Sequence, residues 1–467
     1  MDAQKFRQIL AFVRDLIAGT EWEGRVFAVG GCVRDEIMGL PIKDVDMVVD
    51  LPDGGTRFAQ WLFDQGVVKG SVVKYESFGT AMLKLLAFPE DELEFVQSRK
   101  EKYPDRRSRN PVVAFGTIED DSFRRDLTIN SLDINISTGE LLDVTGHGVE
   151  DIRNHVLRTP LDPDETFDDD PLRILRAIRF SSRFGWQIDD RTFQGMVRKA
   201  PRLEIITVER IQDEFSKMLL SDRPVIAMEL LMKSGAMRFV FPELEQTVDL
   251  AQNGYHFGTV WEHTLAVLDK VQEKDLVLRL AALLHDVGKL QTRSMSEDGK
   301  VQFIGHEKAG ADLAAQMLLR LKFPTAVIKE VSFLIGKHML SKQWGDSLEK
   351  MKDKRLRELQ FECATEDRFE RLVSLIDADN RSHADGFCLP GQAQAFRSRT
   401  AAMKQEGTAL FGYKLPVSGK DVMELKGLKP GPEVKEVLEY VLKLAFVQPV
   451  RSRDEWVKHV IGFKLNK

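Results

Sequence analysis

Cysteine is scarce in this chain: Cys32, Cys363 and Cys388 are the only three, and no two of them share a CxxC spacing. That excludes a disulfide framework and a thiolate zinc site, and the thiols are expected to be reduced. No apolar run approaches the roughly eighteen residues that a membrane-spanning helix needs, so no membrane partner is expected. The opening MDAQKFRQILAFVRDLIAG is amphipathic and interrupted by Asp and Arg, unlike a secretory leader, which points to a cytoplasmic protein. Fixed-period repeats and low-complexity tracts are also missing, which removes repeat architectures from consideration. Nor is there an excess of positive charge: the formal net charge is −6, against nucleic-acid binding over the whole surface.

What the chain does have is the composition of a packed protein, with 43% hydrophobic and 30% charged residues. Its 467 residues exceed one ordinary core and suggest three or four units. Basic residues are concentrated locally. Arg99, Lys100, Lys102, Arg106, Arg107 and Arg109 form one cluster, Arg124 and Arg125 a second, and Arg173, Arg176, Arg179 and Arg183 a third. A solvated face is the ordinary explanation for any one of these. The first 150 residues alternate strand-like runs (RVFAVGG, KDVDMVVD, GTAMLKLL, ELEFVQS) with helical stretches. From about Asp170 the pattern is almost wholly helical, as in PLRILRAIRFSSRF and LRLAALLHDVGKL, which place apolar residues at three and four spacing.

In KDVDMVV, strand alternation puts Asp44 and Asp46 on one face and Val45, Met47 and Val49 on the other. Two hard carboxylates a strand step apart suit Mg²⁺, which keeps its other positions for water and substrate phosphates. Glu94, in ELEFV, is a third candidate. A DxD pair alone is common, but VGGCVRDEIMG precedes it, with a strand ending at Gly30-Gly31 and a helix beginning near Cys32. Glycines there let backbone N–H groups approach a triphosphate, and a helix N-terminus favours an anion. Downstream, RRDLTINSL supplies Arg124 and Arg125 for phosphate and spaces Asp126 and Asn130 four apart, one face of a helix.

These strings, with FGTAMLK and DDDPLRILRAIRF in the same order, resemble the class II tRNA nucleotidyltransferases, the CCA-adding enzymes that share their head with bacterial poly(A) polymerases. The likeness covers about the first 220 residues, with a looser echo in GKDVMELKGLKPGPEVKEVL. It implies a polymerase-β-like head in which Asp44 and Asp46 hold the catalytic metal beside Glu94. It also implies that Gly30, Gly31, Arg34, Arg124, Arg125, Asp126 and Asn130 bind the nucleotide. Asp170 and Arg173, with Arg176 and Arg179 nearby, take the place of the amino-acid template that reads the incoming base. On a helix starting near Pro171, that pair would offer an acceptor and donors to a base edge. The chain has Asp169 where the family's motif usually begins with Glu. ERIQDEF, with Glu209, Arg210 and Glu214, fits a neck helix that supports the template.

Six of the nine histidines, His256, His263, His285, His306, His338 and His383, fall in one helical region. Burying the adjacent His285 and Asp286 in an apolar helix is costly without a partner, and a metal is the obvious one. Histidine and carboxylate ligands without cysteine suit Mn²⁺, Fe²⁺, Ni²⁺, Co²⁺ or Mg²⁺ about as well as Zn²⁺. The region resembles the HD phosphohydrolases, which implies His263, His285, Asp286 and Asp379 as ligands, with Asp377 the rival for the last. His306 and His338 are candidates for a second metal, and Lys289 for a phosphate contact. The implied reaction is hydrolysis of a phosphomonoester or cyclic phosphodiester by metal-activated water.

The expected class is therefore α+β: a nucleotidyltransferase head with a mixed sheet and helices at 1–157, then all-helical parts. These are a neck with the template helix at 158–250, an HD domain at 251–390 and a tRNA-binding tail at 391–467. The expected function is template-independent addition and repair of the tRNA 3′-CCA end from CTP and ATP, with release of pyrophosphate. Mg²⁺ is expected in the head, and Ni²⁺, Mn²⁺, Co²⁺ or Fe²⁺ in an HD phosphatase or phosphodiesterase site. Alternatives are an enzyme adding only CC or only A, a poly(A) polymerase, or an HD phosphohydrolase whose head merely binds tRNA. The paired Asp44 and Asp46 speak against the last. Monomer and homodimer both stay open.

Overall fold

The structure, a computed structural model, describes residues 1–75, 79–102, 112–252, 258–345, 350–384 and 386–465. Arg106, Arg107, Arg109 and His256 lie outside the described residues. Two compact units divide the chain, Met1–Pro242 and Glu243–Lys467.

The first unit opens with α1 (Ala3–Ile17), whose N-cap Asp2 accepts a hydrogen bond from the Lys5 amide and whose Phe6, Ile9, Val13 and Ile17 form one buried stripe. There follow β1 (Val26–Val29), α2 (Gly31–Ile37), β2 (Val45–Val49), α3 (Gly54–Asp64), β3 (Val73–Tyr75), β4 (Thr80–Leu85) and β5 (Phe88–Gln97). A small ribbon, β6 (Arg99–Lys102) and β7 (Val112–Phe115), leads to α4 (Ile118–Phe123), then β8 (Leu132–Asn135), β9 (Leu141–Asp143) and α5 (Gly148–Asn154). Seven strands make a mixed sheet in the order β3-β4-β5-β2-β1-β8-β9, in which only β2 and β5 run parallel.

Register explains why this sheet presents a site on one face. Met47 pairs with Phe95, and Phe95 packs edge-on to Phe58 of α3, so that face is closed by the helix. Asp46 pairs with Glu94, on the opposite face, two residues before Val48 and Val96. Val48 and Val96 belong to a small apolar cluster with Phe27, Val29 and Ile118, so α4 roofs one end of this face while its carboxylates lie beyond the roof. Strand β2 begins at Val45, which leaves Asp44 in the connection just ahead of it rather than within the strand.

A short parallel pair, β10 (Val156–Leu157) with β11 (Gln187–Ile188), accompanies the helical remainder of this unit: α6 (Pro163–Asp169), α7 (Leu172–Phe184), α8 (Asp190–Lys199), α9 (Val208–Leu219) and α10 (Pro224–Lys233). Helix α7 packs on both α9 and α10. The second unit starts with the single turn α11 (Pro242–Glu245), which opens at the boundary, then α12 (Val260–Lys270), α13 (Leu276–Leu284) and α14 (Lys289–Thr292). Hairpin β12 (Arg293–Met295) and β13 (Val301–Phe303) precedes α15 (His306–Arg320), α16 (Thr325–Lys337), α17 (Asp353–Cys363), α18 (Glu366–Asn380) and α19 (Gly391–Gln405). Helix α13 is buried nearly all round, as a central helix must be, against α12, α16 and α18. The last helices, α20 (Gly419–Lys426), α21 (Pro432–Val447) and α22 (Arg453–Gly462), share a core built on Val422, Val437, Val441 and Trp456. Among the described residues, no helix is long and apolar enough to cross a membrane.

Candidate active sites

Helix α2 starts directly at the end of β1 because Gly30 turns the chain with φ 73° and ψ −124°, a conformation open only to glycine. A side chain there would also collide with the Arg125 guanidinium. The turn therefore brings the start of α2 against Arg125. Beside it lies a cavity of about 430 Å³ lined by Gly31, Asp46 and Asn130, six arginines (Arg34, Arg124, Arg125, Arg173, Arg176 and Arg210), Asp126 and Asp170. Six guanidinium groups around one cavity are a setting for a polyanion.

Their placement is enforced from below. Asp121, fully buried on α4, accepts from Arg124 at 2.6 Å and from Arg125 at 3.0 Å. Arg34 donates to Asp35 at 2.7 Å and to the Asn130 side chain at 2.5 Å. Asn130 in turn donates to Asp126 at 2.8 Å, and Asp126 accepts from Arg176 at 2.7 Å. Residues 126 and 130 meet through a turn ending in a 3-10 helix (Thr128–Asn130), not through an α-helical face as their spacing suggests. Burial opposes the charge on Asp126, but Arg176 and the Asn130 amide overcome it and hold the carboxyl down to about 2.

Two carboxylates at the sheet face behave oppositely. Burial pushes Asp46 up, and Asp44 adds to this against the pull of Arg125. Glu94 is likewise raised, first by burial and then by Asp46. Like charges that raise one another are what a divalent cation relieves, so the donor set fits a hard metal. Asp44 is exposed, while Asp46 and Glu94 are half-buried and paired in register. Arg179 is absent from that cavity's lining and bonds Glu214 of α9 at 2.6 Å instead.

Asp170 and Arg173 stand at the mouth of α7. One Asp170 oxygen accepts from the Leu172 amide at 3.1 Å, and the other pairs with Arg210 at 2.8 Å. Arg173 donates to two backbone carbonyls, Arg124 at 2.6 Å and Thr166 at 3.2 Å. The two side chains are thus held separately rather than as an i,i+3 ion pair. Burial lifts the neighbouring Asp169 to about 6.

In the second unit the chain leaves α13 at Leu284, so His285 and Asp286 sit in the turn after the helix instead of within it. Gly288 permits that turn: a β-carbon there would strike the His306 carbonyl and the Gly310 backbone. Four buried histidines then adopt one arrangement. Nδ1 of His263, His285, His306 and His338 lies 3.1, 2.9, 2.8 and 2.7 Å from the carbonyls of Ser382, Ala282, Phe303 and Ile335. Only an N–H satisfies a carbonyl, so in the neutral ring each Nε2 keeps its lone pair, directed elsewhere.

These Nε2 atoms converge on carboxylates. His263, His285 and Asp286 form one group of candidate ligands, and Asp286, His306 and His338 a second, each with its ligand atoms within 4.8 Å of one another. Asp286 belongs to both, a bridging position. Asp379 adds an oxygen 3.1 Å from His263 Nε2, whereas Asp377 bonds Arg381 on the surface side of α18. His285 Nε2 is buried without a hydrogen-bond partner, and Nε2 of His306 faces Nε2 of His338 at 3.3 Å. Two lone pairs face to face and an orphaned ring nitrogen fit metal ions at both groups. Burial and the other imidazoles press His338 down to about 3, in keeping with a neutral ligand. The cavity here, about 500 Å³, also carries Lys289, Lys342, Phe303 and Phe387.

Family models match three stretches: the Poly A polymerase head domain at residues 26–158, the probable RNA and SrmB-binding site of polymerase A at 185–247, and the HD domain at 253–381. The A-adding tRNA nucleotidyltransferase of Deinococcus radiodurans is 32% identical over 91% of this chain and 93% of its own length. The chain belongs to the tRNA nucleotidyltransferase family. Another member, the CC-adding tRNA nucleotidyltransferase of Thermus thermophilus, is 31% identical over 92% of this chain and 91% of its own. The fold is shared with the CCA-adding enzyme of Bacillus stearothermophilus crystallised with CTP, at a TM-score of 0.63 and 23% identity, covering 93% of this chain and 92% of that one. The α+β architecture with a mixed-sheet head and helical remainder thus stands as the sequence predicts.

Three neighbours of these candidate sites escape sequence reasoning. Asp121, the buried counter-ion of two cavity arginines, was signalled by its position three and four residues before Arg124 and Arg125. Arg210 is expected to brace the neck, yet it reaches into the cavity and grips Asp170. Lys342 has no motif around it.

Proposed function

We propose that this chain extends the 3′ end of tRNA with C and A taken from CTP and ATP, releasing pyrophosphate. The observation that carries this reading is the single cavity that brings six arginines, Arg173 among them, together with Asp46 and Asp170. Asp44 and Asp46, with Glu94, would hold Mg²⁺, which when bound supplies charge neutralisation at the attacking hydroxyl and the leaving pyrophosphate. Arg124 and Arg125, fixed by Asp121, take the triphosphate beside Gly30, Gly31 and Arg34. Asp126, Asn130 and Arg176 form the ribose side. Asp170 accepts from the exocyclic amino group common to cytosine and adenine, and Arg173 donates to the ring acceptor next to it. The division at 157, 250 and 390 belongs to this reading, as does residence in the cytoplasm, where tRNA and both triphosphates are present.

The two relatives named for A-addition and CC-addition give a second reading its weight: a partial enzyme. Purified protein with Mg²⁺, labelled CTP or ATP, and tRNA transcripts ending before, within and after CCA separates them. Full extension of the shortest transcript is expected. Arrest after CC, or a need for a preformed CC end, assigns the partial reaction, and no incorporation on any transcript rejects both.

We further propose that the second unit is a phosphohydrolase with Ni²⁺, Mn²⁺, Co²⁺ or Fe²⁺ bound by His263, His285, Asp286 and Asp379, and by His306 and His338 with Asp286. The convergent Nε2 atoms support it. Hydrolysis of a 2′,3′-cyclic phosphate with Ni²⁺ or Mn²⁺ is expected, and its persistence in an Asp286→Ala protein would remove this cluster from the chemistry.

A further inference from the structure

Lys342 lies in a single 3-10 turn, Lys342–Trp344, on the wall of the second unit's cavity. Its ammonium meets three acceptors: Asp379 Oδ2 at 2.8 Å, the Asn380 side-chain oxygen at 2.7 Å and His383 Nε2 at 3.2 Å. An ammonium has three protons, so all are committed. The turn that carries it is fixed by the buried Gln392, which accepts from Ser341 at 2.7 Å and from the Asn380 amide at 2.9 Å and donates to the Ser341 and Gly345 carbonyls at 2.9 and 2.6 Å. A side chain this thoroughly located is not a mobile surface lysine.

The consequence falls on Asp379. Its Oδ1 faces His263 Nε2 at 3.1 Å and His285 Nε2 at 3.9 Å, while its Oδ2 belongs to Lys342. We infer that Lys342 is a positioning residue that restricts Asp379 to one metal-binding oxygen, so that the position a chelating carboxylate would fill stays open for water or a substrate phosphate. The inference rests on the phosphohydrolase reading of this cluster. Keeping a cation near the site costs metal affinity, and an open position is what turnover requires. Lys342 therefore trades one against the other, which a residue serving only to hold the fold does not do.

The test uses the full-length protein and its Lys342→Met variant, titrated with Co²⁺ alone and followed by the visible absorption of the histidine-bound ion, then assayed on a 2′,3′-cyclic nucleotide. Removing the lysine is expected to tighten Co²⁺ binding by about tenfold. Turnover is expected to fall by about 10- to 100-fold, with KM unchanged. Lys342→Gln replaces the methionine variant, with the same two expectations, if the latter does not fold. Any other pairing of the two readouts, including weaker binding with lower turnover or no change in either, overturns the inference. A wild-type protein that takes up no Co²⁺ or leaves the cyclic nucleotide intact overturns the phosphohydrolase reading itself, a result distinct from a working wild type with an unaltered variant.

Discussion

The two sites solve the problem of holding a divalent cation in different ways. In the second unit the ligands come from helix ends and are already assembled: each imidazole is locked by a backbone carbonyl, and two groups of three donors converge within 4.8 Å. In the head, no such group forms among the described residues; Asp44 is exposed ahead of its strand, and Asp46, paired in register with Glu94, lines a cavity dominated by arginines. A preassembled cage binds a metal by itself, whereas an open pair of carboxylates needs substrate phosphates to complete the coordination. On the proposed reading, the head would couple its metal to the nucleotide, and the second unit would not.

The sharpest break of that comparison is reciprocal substitution. Asp46→Ala is expected to lower nucleotide addition by about a thousandfold or more while leaving cyclic-phosphate hydrolysis intact, and Asp286→Ala to do the reverse. Parallel assays of radiolabel incorporation and of ring opening to the nucleoside monophosphate measure both, and loss of addition in Asp286→Ala would mean that the sites are not independent. Next in size is the response to metal alone, read as two transitions in scanning calorimetry. Mn²⁺ at a hundredfold excess over its Kd should stabilise the second unit by about 3 kcal/mol. Mg²⁺ should leave the first unit's transition in place until CTP is added, and a head stabilised equally by Mg²⁺ alone would erase the distinction.

The smallest effect concerns a buried carboxyl beneath the head site. Burial lifts Asp133 from 3.8 to about 6, against the pull of Arg125 and the Ser122 hydroxyl. Because the folded value lies above the unfolded one, its contribution to stability is fully present below about pH 4 and is lost as pH rises through about 6. Asp133→Asn should therefore match the wild type in urea unfolding at pH 4 and exceed it by about 2 kcal/mol at pH 8. Equal stability at both values would place Asp133 among the ion-paired groups instead.

Much of this was legible in the sequence because the key residues are close together along the chain. Asp44 and Asp46, the Gly30 turn and the Arg124–Asn130 segment stood out by residue type and order, although the strand period misplaced Asp44 and the helix period misplaced residues 126 and 130. The histidine cluster could be recognised from the concentration of histidines, the burial cost of His285 and Asp286, and the likeness to HD phosphohydrolases. What was not legible depends on contacts between distant segments. Nothing in ERIQDEF says that Arg210 crosses 40 residues of sequence to hold Asp170. Likewise, the choice of Asp379 over Asp377 depends on which side of α18 faces His263. Local reading also misjudged geometry where a helix ends: His285 and Asp286 belong to a turn that Gly288 makes possible.

Arg173 is tethered to main-chain oxygens, those of Arg124 and Thr166. Carbonyls do not change when neighbouring side chains mutate, so the proposed reader of the base is insulated from drift at the residues around it. Selection for an altered nucleotide preference would accordingly recover few hits among those side chains. It would instead favour insertions, deletions and proline or glycine exchanges that reroute the chain near 124 and 166, because only a change in backbone course moves the anchor.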